Sequence, residues 1–272
     1  MLIDTIVTDL DDTLLDANTS LSAYTMQVLN EAKRRGILVI PASGRAAVSM
    51  RPFVDKLNTG KPYIACNGAQ LMNPDHTEIS SVMFMPQEAK ELLRYFIGHG
   101  FYAQVYRDEY FYFAETNDFS KRYSRQTGMQ GKAIGDLMAF LDFATPKVLS
   151  VSDPQAVEAM YPVIQAAFPD VEFTISKPYF LEAQPKGVSK GSALQKLSEL
   201  LGFSPERTMV FGDSLNDLSM LAFTKNSVAM ANARPEVLRA ARYVTEKPNA
   251  QDGLAHFIED HILAFATGSV NV

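Results

Sequence analysis

Four aspartates crowd residues 7–16, VTDLDDTLLD, directly behind an apolar opening at 3–7. Like charges this close repel one another and raise one another's pKa values, so something must compensate them. A second acidic run, Gly212-Asp213-Ser214-Leu215-Asn216-Asp217, follows another apolar stretch at 208–211. Asp9 and Asp11 are two apart, so in extended backbone both point to one side, and Asp213 would join them from a different strand. Carboxylate oxygens gathered this way suit a hard cation, and a divalent ion that keeps several waters points to Mg²⁺. A turn with helix caps is the blander alternative, and it serves Asp12 and Asp16 equally well.

The elements that must position these residues follow from the spacing of apolar side chains. Residues 3–7 read as a buried strand. Leu21, Tyr24, Val28, Leu29 and Ala32 recur at helical spacing across 20–35, and Gly36 closes that helix. A strand at 37–40, a helix through Met50, Val54 and Leu57, and a third strand at 63–66 come next. Strands alternating with helices predict a parallel sheet covered on both faces. The last third alternates in the same way, with helix 191–201, strand 208–211, helix 215–222, strand 227–230, helix 235–241, strand 243–245 and helix 251–263.

The middle reads differently. A helix at 86–97 precedes two aromatic-rich strands, 101–106 and 109–114, joined as a hairpin. Strands at 146–152, 171–176 and 178–183 follow, with a helix between 154 and 168 and a turn at Lys177-Pro178. The expectation is an α/β protein whose parallel-sheet core, 1–83 and 187–272, is interrupted by an α+β insertion at 84–186.

Open parallel sheets bind ligands beyond the carboxyl ends of their strands. There the sequence sets Asp9-Leu10-Asp11-Asp12-Thr13, Ser43-Gly44-Arg45, Asn67-Gly68 and the run from Gly212 to Asp217. Ser43 alone would also serve as a helix N-cap, and Asn67-Gly68 is first a turn signal. Cys66 reads as a core filler, and the histidines at 76, 99, 256 and 261 read as non-catalytic.

With 272 residues and 47% hydrophobic content, the chain can bury one large core or two smaller ones. Its net charge of −6 and lack of a basic stripe argue against a nucleic-acid partner. No apolar run reaches the roughly 18 residues of a membrane span, and nothing at the N-terminus resembles a signal peptide. One cysteine excludes an internal disulfide and fits a reducing compartment, so a cytoplasmic protein is expected.

Four ordered motifs resemble the haloacid dehalogenase superfamily, and most closely its Cof-like branch, the subfamily IIB phosphatases with a C2-type α/β cap. They are DLDDTLL at 9–15, PASGR at 41–45, GVSKGSAL at 187–194 and GDSLNDLSML at 212–221. The stretch 228–258 is similar to the C-terminal part of that branch, and the segment between the second and third motifs fits its inserted cap. The resemblance implies a Rossmann-like core and a Mg²⁺-dependent phosphatase acting on small phosphorylated metabolites through an aspartyl-phosphate. Asp9 would be the nucleophile and Asp11 the acid and base. Asp9, Asp213 and the Asp11 carbonyl would hold Mg²⁺. Ser43, the Leu10 and Gly44 backbone N–H groups, Lys190 and Asn216 would contact the phosphate, with Asp217 behind Lys190 or the metal. The cap would choose the substrate, with Arg107, Lys121, Arg122, Arg125, Tyr179 and Glu182 as its polar candidates.

The commoner motif has glycine where Asp12 stands; aspartate tolerates unusual backbone angles better than most residues. A phosphomutase of the same superfamily is the alternative enzyme. A phospho-accepting or phosphate-binding regulatory module, similar to response-regulator receivers, is the non-enzyme alternative. A monomer is expected, with a homodimer as its alternative, and neither nucleic acid nor membrane as partner.

Overall fold

The computed structural model describes residues 2–264. In chain order the first elements are β1 (Thr5–Thr8), α1 (Ala23–Arg34), β2 (Leu38–Pro41), α2 (Ala47–Leu57), β3 (Tyr63–Ala65), β4 (Gln70–Met72) and β5 (Glu78–Ser81). The middle comprises α3 (Pro86–Gly98), β6 (Tyr102–Arg107), β7 (Tyr110–Phe113), α4 (Asp118–Thr127), β8 (Gln130–Ala133), α5 (Leu137–Phe140), β9 (Val148–Val151), α6 (Pro154–Ala167), β10 (Val171–Lys177) and β11 (Phe180–Pro185). The rest is α7 (Lys190–Leu201), β12 (Thr208–Gly212), α8 (Leu218–Leu221), β13 (Ser227–Ala229), α9 (Pro235–Ala240), β14 (Tyr243–Val244) and α10 (Gly253–Ile258).

A five-stranded sheet in the order β14-β13-β12-β1-β2 forms the core, and each of its pairings is parallel. Every residue of β1 and β12 is buried, as both-face coverage of a parallel sheet demands. The two strands are neighbours with Thr8 opposite Phe211, so the loops carrying Asp9 and Asp213 leave the same edge side by side. Ile6, Leu29, Val39, Leu194 and Val210 belong to the apolar cluster beneath.

The third strand departs from expectation. β3 touches the parallel sheet through a single bridge, Ala42–Ile64, and its ladder is antiparallel to β4, which pairs with β5. Left-handed backbone at Cys66 (φ 49°) and Asn67 (φ 54°) turns the chain back at once, so this local turn overrides the alternating pattern.

The inserted segment builds a second sheet, β10-β11-β9-β6-β7-β8, antiparallel apart from the β7–β8 pair. Val105, Tyr112 and Val148 pack with Leu92, Phe96 and Ile164 of α3 and α6 on one face. Their strand neighbours Tyr106, Phe111 and Leu149 cluster with Ala46, Cys66 and Val188 of the core, so the other face covers the core sheet's carboxyl edge. Helix α4 and strand β8 lie outside the expected elements. α4 is polar at most positions, but an Asn117–Ser120 capping box starts it and buried Tyr123 anchors it. The helix expected at 215–222 opens as a 3-10 turn over Leu215–Asp217, and the one expected at 251–263 ends in a π-turn over Glu259–Leu263. Among the described residues, no helix is long and apolar enough to cross a membrane.

Candidate active site

Asp9 continues the ladder of β1, its N–H donating to the Phe211 carbonyl at 3.1 Å, and the chain turns immediately afterwards. The Leu10 carbonyl accepts from the N–H groups of Leu14 and Leu15. Asp9 and Asp11 therefore line one cavity because of a tight loop, not because of the extended backbone expected between them. Fully buried Leu10 anchors that loop.

Lys190, the first residue of α7, is completely buried. Its Nζ donates to Asp9 Oδ1 at 2.5 Å and to Asp217 Oδ1 at 2.6 Å. A lysine at a helix N-terminus opposes the helix dipole, so these carboxylates are what hold it there. They also raise its pKa, although burial pulls the other way. Asp217 is used on both oxygens, since Oδ2 accepts from the backbone N–H groups of Asp213 and Ser214. With Ser214 as N-cap, the same bonds form the capping box that opens the turn at Leu215–Asp217.

Asp213 meets Thr13, whose Oγ1 donates to Oδ1 at 2.8 Å, and no cation among the described residues. Burial, with Asp217 and Asp9 close by, pushes its pKa well above the usual carboxylate range. Burial likewise pushes Asp9 up to about 8; Lys190 opposes this, while Asp217 and Asp11 add to it. Oxygens of Asp9, Asp213 and Asp217 converge within 4.8 Å. A surplus of buried negative charge with unsaturated oxygen donors is the chemistry a hard divalent cation fits.

Asp11 has a different partner. Arg45 grips it with Nε on Oδ2 at 2.7 Å and Nη2 on Oδ1 at 2.8 Å. Burial works against the charge, yet Arg45, with Lys177 and Lys190 beyond, holds Asp11 below the ordinary range. With its carboxylate so committed, Asp11 has its backbone carbonyl to offer a cation. Arg45 stacks on Phe53 and bonds Ser49, whose Oγ donates to the Thr127 carbonyl of the inserted segment.

Ser43 is not a cap, because α2 starts behind Ala46; its Oγ accepts from Arg45 N–H, and it lines the cavity with Gly44. Asn216 donates to Asn67 Oδ1 at 2.9 Å, so the Asn67-Gly68 turn braces the acidic loop. Gly68 has φ 100°, and a Cβ there would collide with the carbonyl of Ser189, the residue before Lys190. Gly68→Ala should therefore lower stability by about 2–4 kcal/mol, read as a shift of the urea midpoint.

The insertion closes this cavity, which holds about 60 Å³. Ligand pockets usually span about 300–1,000 Å³, so the volume enclosed here is small for a ligand site. Lys147, buried, donates at 2.7 Å both to the Gly44 carbonyl and to Glu182 Oε2. Lys177 donates to Asp12 Oδ2 at 2.7 Å, and Tyr123 and Gln126 complete the roof. Of the six expected cap residues, Glu182 lines the cavity, while Arg122 stacks on Tyr179 and Arg107 on Phe143. Lys121 and Arg125 are exposed. Sequence reasoning missed Arg45, Lys147 and Lys177 as site residues. Arg45 stood inside a quoted motif, while the lysines sit in strands or their approaches with no motif around them.

Residues 6–258 match the family model of the haloacid dehalogenase-like hydrolases. The chain belongs to that family, and it is a phosphoric monoester hydrolase of the Cof-like type. Enzymes of this superfamily generally use a metal ion. YxeH of Bacillus subtilis, named as a candidate phosphatase, is 30% identical, with 95% of this chain and 98% of YxeH covered. YwtE of the same species, a 5-amino-6-(5-phospho-D-ribitylamino)uracil phosphatase, is 28% identical, with 93% and 96% covered. A crystal structure from Thermotoga maritima is 31% identical and matches with a TM-score of 0.79, covering 95% of this chain and 97% of that one.

Proposed function

We propose that the protein is a Mg²⁺-dependent phosphatase of small phosphorylated metabolites that works through an aspartyl-phosphate. Residues 1–83 and 187–272 are its catalytic core and 84–186 its cap. The observation that carries this reading is the buried Asp9–Lys190–Asp217 chain with Asp213, lacking any cation partner among the described residues, beside it.

A phosphate dianion resists attack by a carboxylate, so catalysis rests on positioning and electrostatic stabilisation. Lys190, Ser43 and the backbone N–H groups of Leu10 and Gly44 receive the phosphoryl oxygens, with Asn216 at the rim. Asp9 attacks phosphorus and the ester P–O bond breaks, while Asp11, once Arg45 has released its carboxylate and it has taken a proton from solvent, gives that proton to the departing alkoxide. Asp11 then takes a proton from the water that attacks the aspartyl-phosphate, which frees inorganic phosphate and restores Asp9. Asp9, Asp213 and the Asp11 carbonyl would hold Mg²⁺, which when bound would supply charge neutralisation for the dianion. Asp217 fixes Lys190 and the loop that bears Asp213. The cap's roof, with Glu182 and Lys147, sorts leaving groups. The enzyme acts as a monomer, and its single buried thiol suits the cytoplasm.

Phosphate release from p-nitrophenyl phosphate and a metabolite panel, with no bisphosphate primer, tests this. The panel holds sugar phosphates, pyridoxal phosphate, flavin mononucleotide and 5-amino-6-(5-phospho-D-ribitylamino)uracil. Release should require Mg²⁺, stop with a chelator and resume when the ion is restored. No release from folded, Mg²⁺-loaded protein on any substrate would sink the reading and leave a primed mutase or a phosphate-binding role.

A further inference from the structure

Asp12 takes left-handed backbone, φ 61°, which glycine adopts without strain and aspartate only reluctantly. Its carbonyl is held by Asn232 Nδ2 at 2.8 Å, so the loop around it is fixed from the core side. Its carboxylate points across to the cap and accepts from Lys177 Nζ at 2.7 Å. Lys177 ends β10, one residue before the hairpin tip at Pro178 and Tyr179, and it lines the catalytic cavity beside Asp11. The same strand end rests on the second acidic loop. Ser214 Oγ donates to the carbonyl of Ser176 at 3.1 Å and reaches that of Ile175 at 3.3 Å. Leu215 packs against the cap's apolar cluster. One hairpin thus sits on both aspartate-bearing loops at once.

We propose that Asp12 is a positioning residue: it seats the β10–β11 hairpin on the catalytic loops and thereby sets Lys177 at the mouth of the cavity. The inference rests on the phosphatase reading above. Asp12 belongs to the core and Lys177 to the cap, so the ion pair exists only when the cap is shut. Among the described residues, the core sets Lys190 and Arg45 beside Asp9, Asp11, Asp12, Asp213 and Asp217, and closure adds Lys177 to Lys147, whose charge is already paired with Glu182. The pair is partly exposed, with side chains 26% and 40% accessible, so it biases closure by a few-fold instead of locking it.

The test compares Asp12→Gly, Lys177→Met, their double variant and Lys177→Arg in the full chain. Glycine keeps the turn, and methionine keeps most of the lysine stem, so unfolding midpoints should hardly move. Each single variant should raise KM for p-nitrophenyl phosphate about two- to fivefold with a smaller change in kcat. The double variant should be no worse than the poorer single, and Lys177→Arg should retain most of the wild-type KM. Backbone amides of 175–180 should exchange faster with deuterium in both single variants, with the core strands unchanged. Effects that multiply in the double variant, or exchange at 175–180 that stays at the wild-type rate, would overturn the proposal. If the wild type releases no phosphate, the phosphatase reading fails by itself, and the exchange measurement alone decides whether Asp12 seats the hairpin.

Discussion

Asp9→Asn is expected to lower kcat on the order of 10⁴-fold or more and, without metal, to raise the melting temperature. The first effect is chemical, since an amide oxygen is a poor nucleophile toward phosphorus and cannot be regenerated by hydrolysis of an acyl phosphate. The second follows from where Asp9 sits. Its folded-state pKa lies near 8 against 3.8 for the unpaired group, driven first by burial, with Asp217 and Asp11 adding to it against Lys190. A carboxyl whose pKa rises on folding favours the native state while protonated, so stability falls as pH climbs from about 4 to about 8. Asparagine removes that penalty and leaves Lys190 paired with Asp217. Thermal melts of both proteins in chelator at pH 5 and pH 8 should show the variant's advantage growing with pH. Metal should stabilise the wild type more than the variant, because Asp9 is one of the expected ligands. Residual turnover within tenfold of wild type would remove Asp9 from its assigned role.

This pairing of lost activity with gained stability states physically why the acidic run at 9–12 was legible in the sequence. Nothing in a β-sheet core needs carboxylates crowded beyond a buried strand, so their presence points to a charge supplied from elsewhere. The strands that carry them were equally plain, because β1 and β12 read as continuous apolar runs and the sheet's edge follows from strand order. Lys190 could be named because a motif surrounds it, although its spacing from Asp9 in the chain says nothing of their meeting. The rest depended on contacts between distant segments. Arg45 lies in the loop after β2, and only the fold shows that its guanidinium spans to Asp11 instead of solvent. Lys147 and Lys177 look like ordinary strand-flanking lysines until the cap sheet is laid over the core. The misplaced third strand has a similar origin, since Cys66 and Asn67 form a left-handed turn that no apolar period records.

Lys190→Met should be the most destabilising single change at the site, by about 3–5 kcal/mol in urea unfolding above pH 8, where Asp9 carries its charge, and should abolish turnover as well. The volume of the side chain is nearly kept, so little of the loss comes from a cavity. What changes is electrostatic: buried Asp9 and Asp217 lose their shared donor and face each other and Asp213 with no cation among them. Breaking a buried pair by removing one partner costs far more than replacing the whole group, because the remaining charges stay desolvated. That asymmetry supplies the check. Adding Asp9→Asn to Lys190→Met takes away one of the stranded charges, so the double variant should recover part of the lost stability while remaining inactive. Saturating Mg²⁺ should also restore some stability to Lys190→Met but much less to the double variant, since one expected ligand is then gone. Lys190→Arg separates charge from shape: it keeps the cation, but its planar fork does not reproduce an ammonium shared between two carboxylates. It should fold better than Lys190→Met and still turn over poorly. A Lys190→Met protein as stable as wild type would mean that Asp9 and Asp217 are not both ionised around it, and the electrostatic account of the site would fail with that result.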